Sequence, residues 1–341
     1  MTGAFPKDGS FMRSPLLLAL IAALILPFQA SGAALRQVAI VDLPGRPGFD
    51  DLAIARGNLV MTHSGAGSVD VFDQAKRRVV AHIEGIEGPR GIAVDETAGR
   101  VYVGSPGRIS VIDANTWKVA STIDVEGSAD SLLLLAQPAR LIYSDTRGQT
   151  LRAVDISSRE MVASVSLGGR PGYLAFDASR KVIYATVQDQ KQLVVLDPSL
   201  KIVKRLAIAG SQPTGIAYDA GHDRIYVAIR HAVVTLNPIN GEELSRIAAP
   251  AGVDRLWLDE VNKTLVAAAG GSVFLASTAG AMLAGAEEIP TQVKGYAVAF
   301  DPQRKLVYLP GGREGRSKLL ILKQTGAANP QSNQNAEAAL R

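Results

Sequence analysis

The feature that most constrains this chain is a repeat. Short apolar runs closing on an aspartate recur at Gly91-Ile-Ala-Val-Asp95, Gly172-Tyr-Leu-Ala-Phe-Asp177, Gly215-Ile-Ala-Tyr-Asp219, Arg255-Leu-Trp-Leu-Asp259 and Tyr296-Ala-Val-Ala-Phe-Asp301. After each comes a polar turn and a second run: Val101-Tyr-Val, Ile183-Tyr-Ala, Ile225-Tyr-Val, Leu265-Val-Ala and Leu306-Val-Tyr. Two divergent copies, Leu52-Ala-Ile-Ala-Arg56 and Leu132-Leu-Leu-Leu-Leu-Ala136, fill the gaps. The closing positions 56, 95, 136, 177, 219, 259 and 301 are thus 39 to 42 residues apart. A unit of this size cannot bury its own apolar face and must stack on its neighbours.

Each copy reads as four strands. The third is seen in Ile109-Ser-Val-Ile-Asp113, Leu151-Arg-Ala-Val-Asp155, Leu193-Val-Val-Leu-Asp197 and Val233-Val-Thr-Leu-Asn237. The fourth is seen in Lys118-Val-Ala-Ser-Thr-Ile123, Met161-Val-Ala-Ser-Val165 and Ile202-Val-Lys-Arg-Leu206. Short β-branched runs with turns every ten or so residues argue an all-β chain, and four strands repeated at this spacing argue propeller blades. The expected architecture is a seven-bladed β-propeller spanning residues 34–324. Small residues in the first strands (Gly91, Ala93, Gly172, Ala175, Gly215, Ala217, Ala297, Ala299) suit the crowded axis of such a ring, where bulk would overpack. The seventh copy stops at its third strand, Lys318 to Lys323, and Leu35-Arg-Gln-Val-Ala-Ile-Val-Asp-Leu43 reads like the missing fourth. Supplying it from the N-terminus would close the ring and remove two exposed edges.

The flanks read differently. Arg13 precedes an apolar run from Pro15 to Phe28, followed by the small residues Ala30-Ser31-Gly32-Ala33-Ala34. About 14 apolar residues are too few to span a bilayer, which takes roughly 20. Residues 1–33 are therefore expected to be a cleaved Sec-type signal peptide, with the mature protein in the periplasm and no transmembrane segment after cleavage. Residues 325–341, rich in Ala, Asn and Gln with no apolar period, are expected to be a disordered tail. The chain has no cysteine, which excludes disulfides, thiol catalysis and covalent haem attachment at a cysteine motif. A formal net charge of +4 is a mild basic tilt, short of a nucleic-acid-binding tail.

The motifs Pro89-Arg-Gly-Ile-Ala…Val101-Tyr-Val and Pro213-Thr-Gly-Ile-Ala…Ile225-Tyr-Val resemble the repeat of YVTN-type, YncE-like periplasmic propeller proteins. The resemblance covers residues 35 to 323. No copy keeps a full Tyr-Val-Thr-Asn, and Ile183-Tyr-Ala-Thr186 comes nearest. The likeness implies the propeller and, because members are associated with DNA, adds nucleic acid to the candidate partners.

Repeated aspartates at the ends of inner and outer strands are turn residues, since the fold asks for them in every copy. Chemistry is sought instead where a repeated position diverges, as at Asp51, Arg90, Ser131, Thr214 and Asp254 at the mouths of the inner strands. The upper funnel so defined gives a candidate ligand site of Asp51, Arg90, Asp130, Arg170, Arg230, Asp254, Arg255 and Lys294. Arginines among the carboxylates favour ion pairing over a bound cation. The four histidines look isolated, with His63 and His231 in loops, and no nucleophile motif occurs. The expectation is a monomeric, non-enzymatic scaffold with no catalytic residues, metal or cofactor, binding a protein or anionic partner on its upper face. The alternatives are a metal-dependent, lactonase-like hydrolase and an accessory propeller of a quinoprotein redox system.

Overall fold

The structure, a computed structural model, describes Met1, residues 35–280 and residues 282–325. The expected signal peptide and tail lie outside the described residues, but for Met1 and Thr325. The described chain folds into seven antiparallel sheets, each a blade of four strands, in a ring. Blade 1 comprises Leu52–Ala55, Asn58–His63, Ser68–Asp73 and Arg78–Glu84, ordered from the axis outward. In blade 2 the middle two strands form one continuous element, Arg100–Asp113, which doubles back at Gly107 (φ 73°). The innermost strands of the remaining blades are Ser131–Leu135, Pro171–Asp177, Ile216–Asp219, Leu256–Asp259 and Ala299–Asp301.

Blade 7 is completed from the other end of the sequence. Leu35–Asp42 runs antiparallel to Arg316–Gln324, from Leu35 opposite Gln324 to Asp42 opposite Lys318, with a register shift between Gln37 and Ala39. The ring is closed as the truncated seventh copy requires.

The small residues near the axis are there because backbone meets backbone. A Cβ placed on Gly91 would stand 2.8 Å from the Ser131 Cα, and one on Gly215 would stand 2.6 Å from the Asp254 carbonyl oxygen. On Gly172 it would stand 2.8 Å from the Thr214 carbonyl oxygen. Away from the axis the blades splay, and larger side chains fill the wedge: Tyr184, Leu193 and Val195 of blade 4 pack on Ile216, Ile225 and Val227 of blade 5. Each such buried side chain stabilises the ring by roughly 1.5–3 kcal/mol.

The repeated aspartates are turn caps. Asp95 accepts from the Ala98 amide, Asp219 from Gly221 and His222, and Asp259 from Val261 and Asn262. At the outer hairpins, Asp113, Asp155 and Asp197 do the same for Asn115, Ser157 and Ser199. The fourth residue after the aspartate then takes a left-handed conformation, as at Lys181 (φ 53°), Asp223 (53°), Lys263 (52°) and Lys305 (55°). The repeated tyrosine ties this turn to the blade: the Tyr226 hydroxyl donates to Asp219 at 3.1 Å. Burial opposes ionisation of Asp177, yet hydrogen bonds from Ser179 and Arg180 outweigh it and hold its carboxyl at about 2.

Candidate functional site

Because every inner strand starts on the same face, the segments leading into the blades converge there around the axis. They enclose a cavity of about 940 Å³, lined by Asp50, Arg90, Asp130, Asp145, Arg147, Arg170, Tyr173 and Asp254 among others. Some of its charges are already paired. The Arg90 Nε lies 3.1 Å from the Asp130 carboxylate, which also accepts from the Ser128 hydroxyl at 2.6 Å and the Thr146 amide at 2.8 Å. Arg152 Nη1 holds Asp145 at 2.8 Å.

Asp51 and Arg255 form a third pair, near the inner-strand backbones. The Asp51 carboxylate accepts from the amides of Leu52 (2.8 Å) and Ile92 (3.0 Å) and pairs with the Arg255 guanidinium. Asp51 therefore tethers the innermost strands of blades 1 and 2. Arg255 also donates to the Leu52 carbonyl and lies 5.7 Å from the ring centres of both Tyr173 and Trp257. Burial lowers its pKa to about 10. These two residues serve the structure of the channel more than a ligand.

Four charges in the cavity remain unpaired. Among the described residues, no carboxylate lies within ion-pair distance of the side chains of Arg147 or Arg170, and both are exposed. Nor does any hydrogen bond or ion pair satisfy the Asp254 carboxyl, and Asp50 Oδ2 is buried with no partner. Asp254 is set deep among protein atoms while still open to the water of the funnel. Its pKa is pushed up to about 6, first by this desolvation and then by the neighbouring Asp50 carboxylate. The Tyr173 hydroxyl is raised well above its ordinary value by burial and then by the charges of Asp254 and Asp50.

Of the residues expected in the funnel, Arg90, Asp130, Arg170 and Asp254 are brought together around the cavity. Arg230 is exposed at the hairpin between Arg224–Ile229 and Ala232–Leu236 and does not line it. Lys294 borders a separate depression of about 530 Å³ with Arg313 and Glu314. Asp50, Arg147 and Tyr173 complete the cavity. They are not among the residues expected from sequence, since nothing in the repeat shows which loops lean inward.

His63 and His82 are a correction, whereas His231 is an exposed turn residue as expected. His63 is fully buried, not a solvated loop residue, and it is not isolated. Its Nδ1 lies 2.7 Å from one oxygen of the buried Asp70, whose other oxygen lies 2.5 Å from His82 Nδ1. His63 Nε2 lies 2.8 Å from the Arg46 carbonyl oxygen, and its ring stacks on Phe49 with centroids 4.0 Å apart. The cluster pins the segment that carries Asp50 and Asp51 to blade 1. Residues 63, 70 and 82 sit on adjacent strands, where only the register joins them.

No protein-family profile matches the chain. Over 118 residues it is 27% identical to Protein NirF of Stutzerimonas stutzeri, a match covering 33% of this chain and 29% of that protein. The chain thus spans less than a third of NirF in that match. Among solved structures, Kuenenia stuttgartiensis Hydrazine Synthase superposes with a TM-score of 0.70 over 84% of this chain and 97% of that chain. At 13% identity, this likeness is one of propeller fold alone.

Proposed function

We propose that the protein is a non-enzymatic binding propeller that captures an anionic group in the upper funnel. The carrying observation is that Arg147 and Arg170 face one cavity of about 940 Å³ without a carboxylate partner. Guanidiniums offer paired donors that suit carboxylate or phosphate oxygens, and the volume suits a small molecule or the tip of a larger partner. The reading places the mature protein in the periplasm, on the strength of residues 13–34. Its likeness to YVTN-type repeats supports a scaffold role and keeps nucleic acid among the partners to be tried. A metal-dependent hydrolase is favoured less, because no group of three or more His, Asp or Glu side chains converges as a metal site among the described residues.

The test is to titrate citrate and a single-stranded oligonucleotide at low and raised salt. Binding should weaken with salt and fall about ten-fold or more in an Arg147→Ala/Arg170→Ala double variant, as loss of charge-assisted contacts requires. Absence of binding by either anion at low salt refutes the reading.

A further inference from the structure

When the satisfied ion pairs of the funnel are set aside, the remaining charges fall into two groups. Asp130 cancels Arg90, Asp145 cancels Arg152, and Asp51 cancels Arg255. Two cations and two anions remain. Arg147 lies in the hairpin between Arg140–Asp145 and Thr150–Asp155 of blade 3, and Arg170 immediately precedes Pro171–Asp177 of blade 4. Asp50 leads into blade 1, and Asp254 leads into blade 6. In a ring of seven, blades 1 and 6 flank blade 7, while blades 3 and 4 stand on the far side. The free positive charges and the free negative charges therefore face each other across the axis.

The negative side is short of donors. Asp50 and Asp254 line the same cavity, yet no guanidinium, ammonium or amide serves the exposed Asp254 carboxyl or the buried Oδ2 of Asp50. Elsewhere in the molecule, buried carboxylates are held by donors: Asp70 by two imidazoles, and Asp219 by His222 and Tyr226. An acid pair without a donor is a standing unfavourable term, and Asp254, exposed to the funnel, is the member that a donor from outside reaches. A hard divalent ion asks for about six to eight oxygen ligands, and the Asp50–Asp254 pair offers two carboxyls. An ammonium or amidinium needs only two or three acceptors and suits that set.

We propose that the funnel holds an amphoteric small molecule, its basic nitrogen on the Asp50–Asp254 carboxyl pair and its anionic group on Arg147 and Arg170. The anionic half rests on the function proposed above, whereas the basic half rests on the acid pair alone. Charge complementarity at both ends then selects against molecules that carry only one sign.

Three probes separate the halves: glutathione (one ammonium and two carboxylates), citrate (carboxylates only) and spermidine (ammonium groups only). Each is titrated into the full protein by calorimetry. Emission of Trp257, one of two tryptophans in the chain and in contact with Arg255, serves as a local reporter. Glutathione should bind at least ten-fold tighter than citrate or spermidine. Asp254→Asn should weaken glutathione ten-fold or more while leaving citrate unchanged or tighter, and thermal melting confirms that the variant is folded. Equal affinity for citrate and glutathione, or glutathione binding that ignores Asp254→Asn, overturns the inference yet leaves the anion site standing. Citrate binding that is unchanged in Arg147→Ala/Arg170→Ala fails the anion site itself. Saturable Ca²⁺ or Mg²⁺ binding that is lost in Asp254→Asn makes the acid pair a metal site and also overturns the inference, as does no glutathione binding at millimolar concentration.

Discussion

Asp254 should make the folded protein less stable at neutral pH than an isosteric amide would. Its carboxyl moves from an ordinary 3.8 to about 6 on folding, through desolvation and the charge of Asp50. At about 1.4 kcal/mol per pH unit, this gives a ceiling of about 3 kcal/mol of destabilisation at pH 7.5. The side chain is open to the water of the funnel, which screens it, so the expected value is about 1–1.5 kcal/mol. The sign follows from proton binding. Between about pH 6 and pH 4 the folded protein holds a proton that the unfolded chain does not, so stability rises as pH falls through this window. Above about pH 6 the full penalty applies, and below 3.8 it is gone. The assay is urea unfolding of the parent and Asp254→Asn at pH 7.5 and pH 5. Everything common to the two proteins cancels in the difference. The variant should be more stable by about 1–1.5 kcal/mol at pH 7.5, with the gap shrinking towards pH 5. A variant that is less stable at pH 7.5, or a gap independent of pH, refutes the reading of the acid pair as a strained site.

The remaining predictions concern the frame that holds the funnel. Gly215→Ala, whose Cβ would stand 2.6 Å from the Asp254 carbonyl oxygen, should destabilise by about 1–3 kcal/mol, measured by urea unfolding. Gly271→Ala, with no atom within 4 Å of the new Cβ, is the control, and an equal effect at both positions would contradict the backbone-contact account. His63→Ala removes the ring that bridges the buried Asp70 and the Arg46 carbonyl, and should cost about 2–4 kcal/mol. A change under about 0.5 kcal/mol in its thermal melt would show that the cluster does not hold the segment to blade 1. Deleting Leu35–Asp42 leaves Arg316–Gln324 as an open edge and should lower the melting temperature by about 10 °C or more, with self-association visible by light scattering. Unchanged melting would mean that strand closure contributes nothing.

The sequence by itself determined the ring. Its period of about forty residues, the turn aspartates and the small inner-strand residues each answer a demand repeated in every blade, so each is written several times. Even the swap of Leu35–Asp42 into blade 7 was legible, because a missing fourth strand at one end matched a spare one at the other. The two divergent copies were placed correctly for the same reason: the spacing carried them where the residues did not. The site is different, because it depends on distances between blades that no repeat encodes. Arg90 and Asp130 come from neighbouring blades and cancel, Arg255 turns down to Asp51, and the four charges left over are known only once those pairings are made. His63, Asp70 and His82 look unrelated along the chain and meet only through strand register. Local propensity and periodicity fix which backbone is built. Which charges end unpaired depends on how seven loops converge on one axis, and only the tertiary structure decides that.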